Sequence, residues 1–280
     1  MQTLSQIRAM LNERGLAPQK RFGQNFLHDA NQIRRLVDAS GVGPGDVVLE
    51  VGPGTGALTV ALLDAGAEVI ACEIDRGLGD LIEETLADRV TLVRGDCLEK
   101  GRRVSPAVFA AIGDRPFTLV ANLPYQAASP LMSSLLIDAP ACRGQHVTIQ
   151  SEVADRLVAG PGSKTYGPLG IIVQSLATVR RIATIPASCF WPAPKVTSAA
   201  VSITPRADHG IDDQWAFARF VVELFMARRK QLGTTLGRDT AWPDGITADL
   251  RPDAVGVDAM VDLWRVCRAS GGDPGEAPGA

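Results

Sequence analysis

Apolar and polar positions follow two alternating patterns between residues 47 and 150. Short runs rich in Val, Ile, Leu and Ala alternate with longer segments in which apolar residues recur every three or four positions. The short runs predict buried strands and the longer segments predict helices. Because strand and helix follow one another in turn, the pattern predicts an α/β fold with a doubly wound sheet. The predicted strands are 47–51, 68–73, 90–94, 117–122 and 146–150, and the predicted helices are 58–65, 78–87 and 130–137.

The pattern changes after residue 179. Two β-type runs, 180–185 and 196–204, flank the proline-rich stretch PASCFWPAPK with no long helix between them. Two late strands of this kind predict an antiparallel addition at one edge of the sheet. Helical spacing then returns at 215–229 and 258–268, which predicts a small all-α C-terminal domain.

We therefore expect the chain to be organised in three parts. The first is a catalytic domain, 1–205, whose N-terminal segment 1–35 is basic. The second is a small helical domain, 206–270. The third is a tail, 271–280, rich in Gly and Pro, which we expect to be disordered.

Composition excludes several classes of protein. The 280 residues contain no apolar stretch long enough to span a bilayer and no apolar signal core at the N-terminus. The five cysteines are scattered without a C-x-x-C pair, and the three histidines are not spaced like ligands. We therefore expect a cytoplasmic protein with reduced thiols, no membrane partner and no metal site.

Charge is distributed unevenly, although the net charge is only −3. Residues 1–35 carry six Lys/Arg against two acids, and residues 215–238 carry five against one. Residues 45–100 carry twelve acids against four bases. A basic face on an otherwise acidic protein is typical of a polyanion-binding surface, but solvated surface helices give the same counts.

A glycine loop follows the first predicted strand in the stretch EVGPGTGALT. Gly52, Gly54 and Gly56 allow a tight turn and a close approach of the backbone to a ligand. With Ala57 and a later acid, the loop also satisfies the dinucleotide fingerprint, so a dehydrogenase is one interpretation. Pro53 argues against it, because proline lacks the N–H that a pyrophosphate would accept.

Three acids end successive predicted strands and favour a cationic ligand. Glu50 lies beside the glycine loop, where it would repel phosphate but attract a sulfonium, as in S-adenosylmethionine (AdoMet). Glu73 has the length to accept both ribose hydroxyls, and Asp96 in RGDCL is placed to accept from the adenine amine. Because the carboxyl ends of strands bind ligands in open α/β sheets, we expect these acids to share one site.

The fourth predicted strand ends in an unusual corner, ANLPY. Asn122, Leu123 and Pro124 precede Tyr125, one of only two tyrosines in the chain. Asn and Pro favour turns, so an ordinary turn is one interpretation. The other is that the amide, the backbone carbonyls and the aromatic ring hold a flat polar ligand.

Eight motifs together resemble one family. They are KRFGQNFL, VLEVGPGTGALT, ACEID, RGDCL, ANLPYQAASPL, RLVAGPGSKTYGPLG, FWPAPKVTSA and FMARRKQLGTTLG, in this order over roughly residues 18–238. This combination is similar to the ribosomal RNA adenine dimethyltransferases. The resemblance implies a Rossmann-like AdoMet-dependent methyltransferase that dimethylates two adjacent adenines of small-subunit rRNA and releases S-adenosylhomocysteine.

The resemblance also implies roles for individual residues and partners. The cofactor residues fall on Asn25, Leu27, Gly52, Glu73, Asp96 and Asn122, with backbone contacts from Gly54–Gly56. The expected partner is rRNA in an immature small ribosomal subunit, and the expected state is a monomer. Two alternatives remain open: an RNA-binding assembly factor with secondary catalysis, and a large-subunit enzyme of the macrolide-resistance type.

Methyl transfer to an adenine amine explains the ANLPY corner. The Asn122 oxygen and the Leu123 or Pro124 carbonyl would accept both amine hydrogens and direct the nitrogen lone pair at the methyl group. Tyr125 would stack on the extruded base, and Phe190 would form the second wall. Positioning rather than a general base would then supply most of the rate. Phosphate contacts are expected from Lys20, Arg21, Arg228, Arg229 and Lys230.

Overall fold

The computed structural model describes residues 2–99 and 102–269, so the predicted disordered tail, 271–280, lies outside the described residues. The chain forms two compact units. The first combines Met1–Ala154 with Arg180–Pro205, and the second combines Asp155–Val179 with the chain from Arg206 onward. The predicted boundary after residue 205 coincides with an edge of a unit. The predicted first domain, however, contains a segment, 155–179, that clusters with the helical unit.

Eleven α-helices and nine strands are found in the described residues. The helices are α1 (Leu4–Glu13), α2 (Ala30–Ser40), α3 (Ala57–Asp64), α4 (Arg76–Leu86), α5 (Pro106–Ile112), α6 (Tyr125–Asp138), α7 (Ser151–Leu157), α8 (Pro168–Leu176), α9 (Gln214–Met226), α10 (Leu232–Leu236) and α11 (Val257–Ala269). The strands are β1 (Phe26–Leu27), β2 (Val47–Val51), β3 (Glu68–Glu73), β4 (Val90–Arg94), β5 (Phe117–Asn122), β6 (Cys142–Gln150), β7 (Ala177–Ile185), β8 (Phe190–Trp191) and β9 (Ser198–Pro205).

Seven of the strands form one mixed sheet in the order β4-β3-β2-β5-β6-β9-β7. The pairs β2–β3, β3–β4, β2–β5 and β5–β6 are parallel, and β9 is antiparallel to β6. The predicted α/β sheet with an antiparallel addition is therefore confirmed. The chain reverses its direction of winding between β2 and β5, which is where open α/β sheets bind their ligands.

The central strands are buried because helices cover both faces of a parallel sheet. All five residues of β2 are buried, and Val48, Val69, Val120 and Ala200 share one hydrophobic core with residues of α2 and α3. Helix α2, which was not predicted, begins after the N-cap Asp29 and buries its apolar residues. Its Asp29 side chain accepts hydrogen bonds from two backbone N–H groups of the first turn.

The helix after the ANLPY corner begins five residues earlier than predicted. Helix α6 starts at Tyr125 and runs through Pro130. Proline has no N–H to donate to the carbonyl four residues back, so the Gln126 carbonyl loses its usual partner. Arg102 supplies a donor in its place, because its Nη2 lies 2.7 Å from that carbonyl oxygen.

A second, two-stranded sheet was not predicted. Phe26 and Leu27 of β1 pair antiparallel with Trp191 and Phe190 of β8. Strand β8 lies in the proline-rich stretch that separates the two late predicted strands. The Phe26 and Trp191 rings stack with centroids 6.3 Å apart. Phe26 also packs with apolar residues of α1 and α4. The Phe26 ring lies against Gly54, so β1 is beside the glycine loop.

The second unit is built on helices α8, α9 and α11, which pack against one another. Tyr166 is fully buried and donates a hydrogen bond of 2.7 Å to the Val255 carbonyl. The rings of Phe217 and Trp264 meet edge to face at 5.6 Å. These contacts give the unit its own apolar core. In neither unit is any described helix long and apolar enough to cross a bilayer.

Candidate functional site

A cavity of about 360 Å³ opens at the carboxyl ends of β2, β3 and β5. It brings together most of the residues that were predicted to bind the cofactor or the adenine. Those that line it are Asn25, Leu27, Glu50, Gly52, Gly54, Glu73, Asp96, Asn122, Leu123, Pro124 and Tyr125. Gly56 does not line the cavity and instead precedes α3. Arg21, predicted as an RNA contact, lies at the same cavity.

The glycine loop adopts a conformation that favours glycine. Gly52, Gly54 and Gly56 have φ angles of 72°, 61° and 84°. The Gly54 N–H donates to Oε2 of Glu73 at 3.3 Å, which joins the loop to the end of β3. A Cβ on Gly54 would lie 2.8 Å from a ring carbon of Phe26. The loop therefore requires glycine at this position both for its dihedral angle and for its contact with Phe26.

Replacing Gly54 with alanine should destabilise the fold more than the same change at Gly45. Both residues have positive φ, but nothing lies within 4 Å of a Cβ on Gly45. Gly45→Ala should cost about 1–2 kcal/mol for the left-handed conformation. Gly54→Ala should cost about 1–3 kcal/mol more, because the Phe26 ring has to move. Urea unfolding of both variants measures the difference between their free energies of unfolding. Equal losses of stability would contradict the close contact between position 54 and the Phe26 ring.

Two buried carboxyl groups lie under the loop. Burial raises the pKa of Glu50 to about 8, an effect that the Glu73 carboxylate strengthens and the nearby Thr59 hydroxyl opposes. Burial likewise raises the pKa of Glu73 to about 7, although backbone N–H groups of Asp75 and Gly54 oppose this shift. Oε2 of Glu50 is buried and has no hydrogen-bond partner among the described residues. A cationic ligand would satisfy this group.

Asp96 follows β4 at the other side of the cavity. Its side chain is exposed, and Oδ1 accepts a hydrogen bond of 3.0 Å from the Leu98 N–H. The carboxylate is therefore held by its own turn while it faces solvent at the cavity. Its contact with an adenine amine stays a prediction.

The Asn122 amide is oriented by a residue that is far away in the sequence. Nδ2 of Asn122 donates to the Asn25 carbonyl at 2.9 Å. No described residue donates to the Asn122 side-chain oxygen, which remains available as an acceptor at the cavity. Next to it, the Pro124 carbonyl already accepts from Ala127 N–H and Ala128 N–H at 3.0 and 3.2 Å. No described residue donates to the Leu123 carbonyl.

Tyr125 begins α6 and lines the cavity with a half-buried side chain. Its hydroxyl makes a hydrogen bond of 3.1 Å with the buried Ser198 hydroxyl of β9. Burial raises the pKa of Tyr125, and the contact with Ser198 lowers it. The phenol is thus neutral near pH 7 and serves as a fixed aromatic surface. Ser198 gave no signal in the sequence, because its partner is 73 residues away.

Comparison with known proteins decides the family. The family model described as ribosomal RNA adenine dimethylase matches residues 16–251. The chain belongs to the ribosomal RNA adenine dimethylase family. Its relatives include the ribosomal RNA small subunit methyltransferase A of Rhodococcus opacus, 43% identical over 244 residues, or 83% of this chain and 80% of the relative. That of Nocardia farcinica is 40% identical over 91% of this chain and 87% of the relative.

A solved structure supports the same fold. The dimethyladenosine transferase from Plasmodium falciparum has a TM-score of 0.72 and 22% identity, covering 88% of this chain and 98% of its own. This likeness confirms the predicted Rossmann-like fold. The family match and the relatives above confirm the predicted family and the prediction of an rRNA adenine methyltransferase. The family is of the AdoMet-dependent type. The cavity fits AdoMet, because the buried Glu50 carboxyl group, whose Oε2 has no hydrogen-bond partner among the described residues, would ionise to bind a cationic group.

The Phe190 side chain lies outside the cavity, unlike most of the residues that were predicted to form the site. It is only 3% exposed, belongs to the hydrophobic core and pairs with Leu27, and it does not line the cavity. Phe22 and Phe26, neither of which was predicted as a site residue, line the cavity. The role of Phe190 as the second wall of the base pocket stays a prediction, and it would require the ring to leave the core.

The basic residues predicted to contact RNA fall in both units. Lys20 and Arg21 are exposed in the first unit, and Arg229 and Lys230 are exposed in the second. Arg228 is engaged within the second unit, because its Nε lies 3.2 Å from Oδ2 of Asp253 and its Nη groups donate to the carbonyls of Ser163 and Lys164. These contacts give Arg228 a structural role there. Its phosphate contact stays a prediction.

The two buried carboxyl groups predict a pH dependence in this dimethylase family member. Their folded-state pKa values, about 7 for Glu73 and about 8 for Glu50, exceed the ordinary value of 4.5. The protonated carboxyls therefore stabilise the fold fully below pH 4.5, and this contribution is lost as pH rises to about 8. AdoMet affinity should rise over the same interval, because a cation favours the ionised carboxylates.

Thermal unfolding and calorimetry between pH 5 and about 8.5 measure both trends. The ligand-free protein should melt at a lower temperature as pH rises, and AdoMet binding near neutral pH should release protons to the buffer. Glu50→Gln should flatten the upper part of both curves. An AdoMet affinity that is independent of pH in the unmodified protein would contradict the buried carboxyl pair.

Proposed function

We propose that this chain transfers methyl groups from AdoMet to the exocyclic amines of two adjacent adenines in small-subunit rRNA. The proposal rests on the Asn122 amide, whose nitrogen is held by the Asn25 carbonyl so that its oxygen is left to accept at the cavity. Relatives named for the small ribosomal subunit, at 40% and 43% identity, support this substrate.

The cofactor would be held by the acids and the glycine loop. Glu73 accepts the ribose hydroxyls, Asp96 accepts from the adenine amine, and Glu50 offers its buried negative charge to the cationic part of the ligand. Gly52 and Gly54 allow close approach of the backbone, with Asn25 and Leu27 contacting the ligand from β1 and the segment before it. When bound, AdoMet supplies a sulfonium methyl group, which the adenine nitrogen lone pair takes as the sulfur–carbon bond breaks to leave the neutral thioether S-adenosylhomocysteine.

The residues at the end of β5 would prepare the nucleophile. The lone pair of an adenine amine is delocalised into the ring, which makes it a poor nucleophile. The Asn122 side-chain oxygen and the Leu123 carbonyl accept the two amine hydrogens and favour a tetrahedral nitrogen. Leu123 is a better candidate than Pro124, because the Pro124 carbonyl already accepts two helix N–H groups. Tyr125 stacks on the extruded base, with its hydroxyl held by Ser198.

No general base is required in this mechanism. The methylated nitrogen is cationic, so its proton leaves to solvent once the new bond has formed. The enzyme then contributes mainly by holding the amine in line with the methyl group. Such positioning can account for a large part of the lowering of the activation barrier. We further propose that the natural substrate is rRNA in an immature small subunit, and that the protein acts as a monomer in the cytoplasm.

Methyl transfer from labelled AdoMet to isolated ribosomal subunits tests this function. Small subunits from cells that lack the enzyme should incorporate label as dimethyladenosine, and mass spectrometry should place it on adjacent adenines. Label in large subunits instead would favour the macrolide-resistance type of activity. Binding to small subunits without methyl transfer would favour an assembly factor, and both of these results would overturn the proposal.

A further inference from the structure

A flat arginine–phenylalanine pair lies at the mouth of the cavity. The guanidinium carbon of Arg21 lies 4.5 Å from the centroid of the Phe22 ring, and both residues line the cavity together with Tyr125. We propose that the Arg21 guanidinium is a stacking platform for an unpaired RNA base next to the adenine that is methylated. This inference rests on the proposed function, because it assumes that RNA enters the same cavity.

The Arg21 plane is fixed by a relay that ends on a buried carboxylate. Nε of Arg21 donates to Oε1 of Gln19 at 2.9 Å, and Nε2 of Gln19 donates to Oδ2 of Asp75 at 2.7 Å. Asp75 is only 6% exposed, and its Oδ2 also accepts from Nε2 of Gln24 at 2.9 Å. The relay therefore joins Arg21 through Gln19 to a buried carboxylate two residues after β3.

Asp75 is itself held by the helix that follows it. Its Oδ1 accepts hydrogen bonds from the N–H groups of Gly77 and Leu78, at 3.0 and 3.4 Å, at the start of α4. One oxygen of the carboxylate thus caps a helix while the other holds Gln19 and Gln24. The Gln19 N–H also donates to Oε1 of Gln24 at 2.7 Å, which closes the turn that carries Arg21.

A fixed plane is what distinguishes a base platform from a phosphate contact. A phosphate requires charge and edge donors, which a lysine or an unrestrained arginine also provides. Here the Phe22 ring supports the guanidinium, and Gln19 takes its Nε–H, so its orientation is restrained while the side chain stays exposed. Unpaired RNA bases stack on guanidinium planes of this kind. With Tyr125 at the same cavity, the site offers separate flat surfaces for two neighbouring bases.

Binding of a synthetic RNA hairpin with two adjacent unpaired adenines in its loop tests the platform. Each loop base in turn is replaced by an abasic nucleotide, and the methylated adenine is identified on the intact hairpin. In the unmodified enzyme, removal of one base beside that adenine should weaken binding about 5- to 100-fold. In Arg21→Lys, which keeps the charge without the plane, the same removal should weaken binding less than about twofold.

Two further variants separate the platform from general effects on charge. Arg143→Lys changes an exposed arginine that is 3.9 Å from Asp46 and does not line the cavity, so the abasic effect should remain that of the unmodified enzyme. Gln19→Ala should reduce the abasic effect in part, because it releases the guanidinium from its relay. Arg21→Lys and Arg143→Lys should melt near the temperature of the unmodified protein.

Equal abasic effects in the unmodified enzyme and in Arg21→Lys would overturn the platform, as would an intact hairpin that binds no better than its abasic versions. Methyl transfer to small ribosomal subunits is measured with the same preparations. If the unmodified enzyme transfers no methyl groups to small ribosomal subunits, the proposed function itself is wrong. If methyl transfer is retained but the abasic effects are equal in the unmodified enzyme and in Arg21→Lys, only the stacking platform is wrong.

Discussion

Asn122→Ala lowers the rate of methyl transfer by about 100- to 1000-fold and changes the AdoMet dissociation constant by only a few-fold. We expect this result because removal of one preorganised group that acts in the transition state costs about this much. Asn122 contributes through its side-chain oxygen, while its nitrogen is bound to the Asn25 carbonyl at 2.9 Å. Single-turnover kinetics with labelled AdoMet and small subunits separate the chemical step from binding.

A matched control for this variant is Asn31→Ala, which removes an exposed asparagine side chain of α2. It should keep both the rate and the AdoMet affinity. A rate of Asn122→Ala within about threefold of the unmodified enzyme would contradict the proposed role of the amide. A large loss of AdoMet affinity with an unchanged single-turnover rate would instead make Asn122 a cofactor ligand only.

Glu73→Gln weakens AdoMet binding about 10- to 100-fold, and Glu73→Ala weakens it about 100-fold or more. A hydrogen bond to an ionised group contributes about 1.5–3 kcal/mol, and two ribose hydroxyls would bind one carboxylate. Glutamine keeps the shape and one acceptor but loses the charge. Calorimetry above pH 8 is the proper measurement, since the pKa of Glu73 is about 7 in the ligand-free protein.

Glu68→Gln is the control, because Glu68 is exposed at the opposite end of the same strand and pairs with Arg115 on the surface. Surface ion pairs contribute little, so AdoMet affinity should remain unchanged. Glu73→Gln should also retain the melting temperature of the ligand-free protein or raise it at pH 8, because it removes a buried charge. Unchanged AdoMet affinity in Glu73→Ala would exclude the ribose contact.

Local patterns of apolar residues were sufficient to predict most of the parallel strands of the sheet. Strands β2, β3, β4 and β5 have the predicted bounds, because short apolar runs between helical segments have few alternative structures. The helices that were not predicted include α2, α5, α7, α8 and α10. Helix α6 was placed five residues too late, because proline normally ends a helix and only the folded chain brings Arg102 to the Gln126 carbonyl.

The residues of the candidate site likewise fall into those that local patterns predicted and those that only the tertiary structure revealed. The acids and glycines were predicted from their place at strand ends, where the connections leave them on one edge of the sheet. Phe22 and Phe26 both line the cavity and were missed. Phe26 is placed there through the pairing of β1 with β8, strands more than 160 residues apart in the sequence, which no local pattern indicates. Phe190 was assigned to the site from its motif, but its ring lies in the core.

The amino-acid sequence by itself determined the order of strands and helices, the glycine loop and the three acids, since these depend on side-chain periodicity and on local backbone preference. Tertiary structure alone decided which atoms are free to act. The Asn122 nitrogen is occupied by Asn25, 97 residues away, and the Arg21 plane is held through Gln19 by Asp75. Hydrogen bonds between such distant residues exist only once the sheet has brought its strand ends together, and no local pattern encodes them.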